Sequence, residues 1–481
     1  MTRALASTAV AIGLVAVVFS TVQPFVSRPA TALGNSDYLA FGCAARVADA
    51  RNDPYLAAPL MQCQRAAHPA ADLEIDPAPF PPCFFAMLAP LGALPFLPGG
   101  LLWVAGSILA VGVAYVGLRR LTALPWWVLA PPLVVLDFAT NVPSAQIPPF
   151  VVACVSLAAL ALRAGRDRWA ALAVAGTAIE PHVALPLWLA LAVWRPRSRP
   201  VLALAGLALV GGSLAIGPAS RWLEYATSAL PVQAVAEAAF TIQYSLTFVA
   251  EALHATDRLA VAIGGFDYAV TVVAAVPIAG LLARRLGDAA YVATFPAAAV
   301  LLGGAYIHLG QMAVALPFGF ALLARAAASR ERSTTIAAAA TLAMLACAWP
   351  LPLQRSMIAG SLVVVGSLAA FAAHGLDLRK VTFGVLLACV GYGAIAVGVG
   401  APHSLVRAAP SASAFARLAD PALAATQDGI DLRRDAGGVT IRLDDLTEKL
   451  PVWCALVALW TFALAALRAR PRVVAPLPVR S

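Results

Sequence analysis

Long apolar stretches recur from one end of the chain to the other, and they limit the possible folds more than any other feature. A helix of about 20 mostly apolar residues crosses the roughly 30 Å hydrocarbon core of a bilayer. Of the 481 residues, 61% are hydrophobic and 12% are charged, which excludes a water-soluble globule and a disordered chain. Unbroken apolar runs also differ from the alternating segments of a membrane barrel. The sequence predicts an all-α polytopic membrane protein.

The apolar runs predict a bundle of about 12 spans. One further apolar stretch, 169–194, is broken at Glu180-Pro181-His182, and each arm is too short to cross, so we expect a short helical hairpin. Segment 83–97 contains Pro90 and Pro95 and predicts an interfacial or re-entrant helix. The predicted spans are 4–23, 99–118, 122–140, 147–164, 200–217, 260–283, 289–306, 309–327, 334–352, 356–373, 381–399 and 451–468.

The distribution of charge predicts the orientation. Most of the 33 basic residues fall in short segments that share one side when the N-terminus is inside, and few acids accompany them. This pattern places both termini in the cytoplasm and puts a large first loop, 24–98, outside together with loops 218–259 and 400–450. We expect the first span to be a retained anchor, although a signal peptide would also send the first loop outside. The basic residues are dispersed among loops, so no nucleic-acid partner is predicted.

Cysteine use and missing motifs narrow the chemistry. Cys43, Cys63 and Cys83 share the first external loop, where an oxidising exterior allows one disulfide. We expect Cys43 to pair with Cys63, because Cys83 adjoins an apolar helix. The chain has no phosphate-binding GxxxxGK[ST] loop, no GxGxxG after a strand and no HExxH, and its Cys and His spacing suggests no metal site. We therefore expect no metal and no cofactor.

A few polar residues fall where the predicted topology forms one external surface. Asp37 follows the first span and His308 lies at a later external turn, where it could bind a phosphate oxygen. Each also has an ordinary interpretation, Asp37 as a solvated helix cap and His308 as an interfacial residue. Asp137, Glu180 and Asp267 lie within apolar stretches, where acids are costly and often functional. Asp137 and Asp267 are close enough to span ends to reach the interface, whereas Glu180 is deeper and is expected to pair with His182 or an Arg.

The order of several short motifs resembles a known family. The resemblance is to the polyprenol-phosphate-mannose-dependent mannosyltransferases of glycosyltransferase family 87, in the GT-C superfamily, and it covers roughly the first 330 residues. This chain has Ala145-Gln146-Ile147-Pro148 where the family commonly has Gly-Gln and a polar residue, and Glu180-Pro181 where the family commonly has Lys-Pro. The motifs are Asp37-Tyr38, Asp53-Pro54-Tyr55, Phe80-Pro81-Pro82, Ala89-Pro90-Leu91, Leu94-Pro95, Ala145-Gln146, the stretch from Ala175-Gly176 to Pro181, Gln243-Tyr244-Ser245-Leu246 and Tyr306-Ile307-His308.

The resemblance implies a GT-C-like fold and an inverting transfer of a sugar, mannose, from a polyprenyl-phosphate donor to a glycan or glycolipid acceptor. It implies Asp37 as the general base, with His308 and an external Arg such as Arg46 or Arg51 near the departing phosphate. The partners are then the donor, the acceptor and the lipid bilayer, at the external face of a plasma (inner) membrane. The remaining candidate substrate-binding residues are Tyr38, Asp53, Tyr55, Gln146, Glu180 and Gln243.

Two other functions remain open at this point. A transporter or flippase of lipid-linked sugars would use Asp137, Glu180 and Asp267 as a relay, and a non-catalytic family member would only bind a glycolipid. The organisation we expect is a catalytic membrane module over 1–330 and a set of C-terminal spans over 331–481. The mixed charges of loop 400–450 fit either a small solvated subdomain or a lid.

Overall fold

The computed structural model describes residues 2–68, 74–348, 355–373, 412–417, 419–435, 441 and 443–468. These residues fold as helices joined by short turns, and the only strand-like pairings among them are two isolated bridges. The all-α prediction is confirmed. The helices are α1 Thr2–Ser27, α2 Pro29–Gly34, α3 Tyr38–Asp49, α4 Ala57–Ala67, α5 Pro82–Gly92, α6 Phe96–Thr122, α7 Trp126–Pro132, α8 Pro148–Arg163, α9 Asp167–Gly176, α10 Pro181–Trp194, α11 Arg199–Ile216, α12 Ser220–Glu224, α13 Leu230–Ala236, α14 Leu246–Ala252, α15 Asp257–Leu286, α16 Tyr291–Ala299, α17 Leu316–Ala328, α18 Arg332–Leu345, α19 Arg355–Ala372, α20 Ala412–Ala416, α21 Ala424–Asp435 and α22 Leu443–Arg468.

Several of these helices have the length and apolarity of membrane spans. Within the described ranges, six segments meet that standard and shorter apolar helices occupy most of the other predicted spans. The chain is therefore a multi-pass membrane protein, and the number of 12 spans stays a prediction. The predicted span 381–399 lies outside the described residues. The six segments are Val10–Ser27, Phe96–Thr122, Pro196–Ile216, Asp257–Leu286, Leu309–Ala328 and Asp445–Arg468.

Burial separates central helices from peripheral ones. Only 11% of the apolar window in Val10–Ser27 is buried inside the protein, against 83% of the window in Leu309–Ala328. Large apolar side chains on the peripheral helices point outward, as Phe19 and Phe266 do. Such exposure is unfavourable in water and favourable in hydrocarbon, so these surfaces face lipid. The central segment, by contrast, packs against α6, α8, α16 and α18.

The broken apolar stretch 169–194 forms two helices joined by a tight turn. Helix α9 ends at Gly176, a 3₁₀ turn covers Thr177–Ile179, and α10 begins at Pro181. Proline suits the first position of a helix because the N–H it lacks has no partner there. The predicted hairpin is therefore present as two packed helices. Its turn holds Glu180 and His182 next to each other.

The segment predicted as an interfacial or re-entrant helix divides into two parts. Pro82–Gly92 is helix α5, which packs on α3 and α11, whereas α6 already begins at Phe96. Pro95 sits just before α6, since its ring fixes an extended backbone that ends the turn between the two helices. The long helix thus starts a few residues earlier than the apolar pattern indicates.

The segments predicted to be external are tied to the membrane bundle. A disulfide joins Cys43 of α3 to Cys63 of α4, with 5.6 Å between the two Cα atoms, which confirms the expected pairing. In the C-terminal part, α18 packs on α17 and α22, and α21 packs on α13. The described residues after 330 therefore share one packed body with the residues before it.

Candidate functional site

A cavity of about 720 Å³ lies where several loops and helix ends meet the bundle. The α2–α3 turn contributes Asp37, and the hairpin turn contributes Glu180. The loop before Leu309 contributes His308, and helix α21 contributes Asp428. Polar residues on element ends thus converge from positions far apart in the sequence. A bundle positions such residues because helix ends are held by the packing of the helices themselves.

Asp37 occupies the position just before α3 and reaches into this cavity. Its backbone N–H donates to the carbonyl of Ser144 at 3.0 Å, and the side-chain amide of Gln146 donates to its Oδ2. Burial raises the pKa of Asp37 to about 7, with the His308 charge lowering it and the Glu237 charge raising it. A carboxyl with such a pKa exchanges its proton close to neutral pH.

His308 is fixed by pairing between two loops. The N–H of Tyr244 donates to the carbonyl of Ile307 at 2.7 Å, and the Gln243 side chain accepts from the Ile307 N–H at 2.8 Å. The imidazole Nε2 of His308 pairs with the carboxylate of Glu237. Burial lowers the pKa of His308, but the nearby carboxylates, with Glu237 foremost, outweigh that effect and raise it. The carboxylates around the ring therefore favour its protonated form.

A second histidine and carboxylate pair lies in the same cavity. The Nδ1 atom of His182 is 2.9 Å from Oε1 of Glu180, which confirms the predicted pairing. The Gln311 amide donates to the same Glu180 oxygen at 3.2 Å, and its Oε1 accepts from the backbone N–H of His308 at 2.7 Å. Gln311 thus connects the two histidine sites.

The sequence analysis missed several polar residues of the cavity, among them Asp76, Gln233, Glu237 and Asp428. Gln233 donates to Glu237 at 2.6 Å and to Asp428 at 3.3 Å. Burial raises the pKa of Asp428 to about 8 and also raises the pKa of Asp76, which lies near Asp37. The one available signal was the spacing of Gln233 and Glu237, four residues apart at the end of an external helix.

Asp76 is aligned by a side chain on the neighbouring helix. Gln64 of α4 donates to the Asp76 carbonyl at 2.6 Å and accepts from its backbone N–H at 3.1 Å. The Gln64 amide thus satisfies both backbone groups of Asp76, as a neighbouring strand does in a sheet, and this fixes the loop. The disulfide partner Cys63 precedes Gln64, so α4 links Asp76 to the helix that begins beside Asp37.

Of the predicted site residues, Asp37, His308, Gln146 and Glu180 line the cavity, whereas five others lie behind its walls. Tyr38 is buried against Phe96 and Trp103. Asp53 accepts from the backbone N–H of Tyr55 at 2.9 Å, and the Tyr55 hydroxyl donates to the Phe80 carbonyl at 2.7 Å.

The other two residues behind the walls support loops and helix ends. Gln243 is fully buried and holds the loop before His308. Arg46 donates to the carbonyls of Gly92 and Leu94, so its guanidinium completes the end of α5 instead of reaching the cavity. Arg51 is exposed, and its carbonyl accepts from Arg221. The expected contribution of an arginine to the phosphate therefore finds no support in this geometry.

One side of the cavity opens onto the lipid-facing surface. Leu185 of α10 lines the cavity and is 47% exposed, and Gly265 of α15 lines it with open space where a side chain would be. The Tyr268 hydroxyl, one helical turn from Gly265, donates to the His182 carbonyl at 2.6 Å and holds the two helices together there. The cavity therefore has an apolar side at Leu185 and Gly265 and a carboxylate-rich side at Asp76 and Asp428.

The three acids within the apolar stretches are not gathered in one place. Glu180 lines the cavity, but Asp137 and Asp267 are absent from its described lining. Asp137 instead contacts Asn141 at 3.5 Å, and Asn141 donates to the Gly310 carbonyl at 3.1 Å. The cavity therefore contains one of the three acids and not the other two. Among the described residues, no three His, Cys, Asp or Glu side chains converge as metal ligands do.

Comparison with protein families identifies the region that forms most of this cavity. Residues 79–309 match the model of glycosyltransferase family 87, and this range contains Gln146, Glu180, Glu237 and His308. Asp37 and Asp428 lie outside the matched range. Comparisons with curated proteins and with solved structures give no significant match. Over residues 79–309, just under half of its length, the chain is similar to glycosyltransferase family 87, and this match indicates a membrane glycosyltransferase.

Proposed function

We propose that the protein transfers a sugar, mannose, from a polyprenyl-phosphate donor to an acceptor hydroxyl at the external face of the plasma membrane. Asp37 acts as the general base, and the sugar is transferred with inversion. The observation that carries this proposal is the joint presence of Asp37 and His308 in one cavity that opens towards lipid. A polyprenyl tail dissolves only in the bilayer, so its donor must reach the reacting groups from that side.

The chemistry needs one base and one cation. The acceptor oxygen attacks the anomeric carbon, its proton passes to the Asp37 carboxylate, and the bond from that carbon to the phosphate oxygen breaks. The departing phosphate carries away the bonding electrons and gains negative charge, which the His308 imidazolium stabilises by hydrogen bonding. A single direct displacement inverts the anomeric carbon, as in the inverting glycosidases.

Gln146 has a distinct part in this proposal. Its amide donates to Asp37 Oδ2, which leaves the other carboxylate oxygen for the acceptor proton. The same contact restricts rotation of the carboxylate, and a base must stay within hydrogen-bond reach of the proton that it removes. Gln146 is therefore a positioning residue.

The carboxylate-rich side of the cavity suits the acceptor. Asp76 and Asp428 present oxygen atoms there, and the Oε1 atom of the buried Gln233 has no hydrogen-bond partner within the described part of the chain. Groups that accept hydrogen bonds fit a ligand rich in hydroxyl donors, as a glycan is. We therefore assign the acceptor glycan to this side and the lipid donor to the other.

The test is transfer by purified protein in liposomes that contain a polyprenyl-phosphate mannose donor and a lipid extract as the source of acceptor. We expect Asp37→Asn to reduce turnover by about 10²-fold or more, because the amide cannot take the proton. Asp53→Asn is the matched control, since Asp53 is an external acid behind the cavity wall and Asn keeps an oxygen acceptor for the Tyr55 N–H. Full turnover in Asp37→Asn, with normal insertion, would contradict the assignment of the base.

A further inference from the structure

We propose that His182 forms a second phosphate-binding position, which holds the phosphate of the lipid donor together with His308. This inference rests on the proposed function, because it concerns the same cavity and the same donor. Nothing in the resemblance of the sequence to its family assigns a role to this residue. The reasons lie in the charge, the contacts and the place of His182.

The lining of the cavity is rich in acids and poor in bases. Five carboxylates line it, and its described lining contains no Lys and no Arg. His182 and His308 are thus the side chains there that can become positive. A phosphate is repelled by buried carboxylates, and removing it from water is costly unless charged donors replace its hydration. The five carboxylates are Asp37, Asp76, Glu180, Glu237 and Asp428.

The contacts of His182 leave one ring nitrogen available. Nδ1 pairs with Glu180 at 2.9 Å, whereas Nε2 has no hydrogen-bond partner among the described residues. When the ring is protonated, Nδ1–H donates to Glu180 and Nε2–H can donate to a ligand oxygen. The contact with Glu180 thus fixes the ring through Nδ1 and leaves Nε2 as the nitrogen for a ligand.

The orientation of His182 is also constrained. The Tyr268 hydroxyl holds its backbone carbonyl at 2.6 Å, and Glu180 is itself held by Gln311 at 3.2 Å. A side chain fixed through both its backbone and its partner loses little freedom when a ligand binds. The orientation of the His182 side chain is therefore fixed before the donor binds.

The place of His182 matches where a donor phosphate must lie. His182 precedes Leu185 by three residues on α10, and Leu185 and Gly265 form the lipid-facing side of the cavity. In the donor, the phosphate links the lipid tail to the sugar. A tail that enters beside Gly265 and a sugar carbon that faces Asp37 leave the phosphate between them, next to His182 and within reach of the loop of His308.

The experiment measures lipid binding and therefore does not depend on the acceptor. The full-length protein in nanodiscs is titrated with undecaprenyl phosphate and with undecaprenol, and the ratio of the two affinities gives its preference for the phosphate. We expect at least a tenfold preference in the unmodified protein and a loss of about tenfold in His182→Ala, as for a charged hydrogen bond. His182→Gln, which keeps a donor and resembles the ring in size, should retain part of the preference.

A matched control separates this role from a general effect of losing a histidine. His254 is exposed, lies away from the cavity and has a positive φ of 67°, which Asn tolerates, so His254→Asn should leave the preference unchanged. Unchanged preference in both His182 variants would overturn the inference while leaving the role of Asp37 intact. Equal affinity of the unmodified protein for both lipids would instead overturn the lipid-phosphate donor itself, and this inference with it.

Discussion

At the scale of single residues, the site depends on a few carboxyls whose surroundings alter their protonation. Asp37 is half-buried and accepts a hydrogen bond from Gln146, and the charges of His308 and Glu237 act on it in opposite directions. Burial disfavours its ionised form and raises its pKa to about 7. The base that the proposed reaction needs is therefore only partly ionised at neutral pH, and it becomes available as the pH rises.

The pH dependence of transfer follows from this shift. At saturating donor, the rate should rise with pH through an acid limb centred near pH 7, in place of a limb near the ordinary Asp value of 3.8. Because the His308 charge lowers the pKa of Asp37, His308→Gln should move this limb to higher pH. Initial rates between pH 5 and pH 9 provide the measurement, and an acid limb near pH 4 in the unmodified protein would contradict it.

The cavity residues that sequence analysis identified share a feature that can be read from the sequence alone. Asp37, His308 and Glu180 are polar residues next to long apolar runs, where any such residue stands out. Asp76 and Asp428 lie in segments that contain many acids, and only the fold selects these two. Arg46 shows the converse case. The sequence indicates an external arginine that could contact the phosphate, but in the structure its guanidinium donates to carbonyls at the end of α5.

At the scale of secondary-structure elements, the long apolar helices were the most predictable part of the protein, because a bilayer imposes their length and composition. Helix ends and interruptions were less predictable, since neighbouring elements decide them. The 3₁₀ turn at Thr177–Ile179 and the early start of α6 at Phe96 illustrate this. These interruptions matter for the function because they carry the polar residues of the cavity.

Helix α21 covers the carboxylate-rich side of the cavity and is anchored there by Arg433. The buried guanidinium lies 3.7 Å from Asp257, stacks over the Phe415 ring at 4.5 Å and donates to the Val235 carbonyl at 3.1 Å. The next residue, Arg434, is 63% exposed and pairs with Glu74 and Asp431 at the surface. Of the two interpretations of this external segment, a docked cover describes the contacts of α21 better than a freely solvated unit.

Replacing Arg433 should release α21. Arg433→Met leaves the Asp257 carboxylate buried without its cation, which costs about 3–5 kcal/mol for a buried pair. We expect faster amide hydrogen exchange over residues 424–435 and weaker transfer to the acceptor. Arg434→Met is the adjacent control, because surface ion pairs contribute about 0–1 kcal/mol. Equal exchange rates in the two variants would contradict the anchoring role.

At the scale of the whole molecule, the cavity lies between an apolar surface and a carboxylate-rich surface. Its apolar side at Leu185 and Gly265 belongs to the lipid-facing surface, while Asp76 and Asp428 come from external segments. The hydropathy of the sequence predicted the apolar helices and the polar segments between them as separate features. It could not predict their junction, because the packing of α10 against α15 determines where the bundle leaves an opening.

Narrowing that opening should hinder entry of the donor. Gly265→Leu places a side chain where the structure has open space, and the change also favours the helix by roughly 1 kcal/mol, so folding is preserved. We expect the rate with a long-chain donor to fall by at least about tenfold, and the rate with a short-chain analogue to fall less. Gly112→Leu is the control, since Gly112 of α6 also has open space and lies away from the cavity. The same loss with both donors would count against entry at this side.

The two ends of the chain meet at this cavity, with Asp37 near the start and Asp428 near the end. During synthesis, the segment that carries Asp428 leaves the ribosome after nearly all the spans. Membrane insertion must therefore be almost complete before the cavity exists. A chain that ended before α21 would lack Asp428 and the helix that covers this side of the cavity.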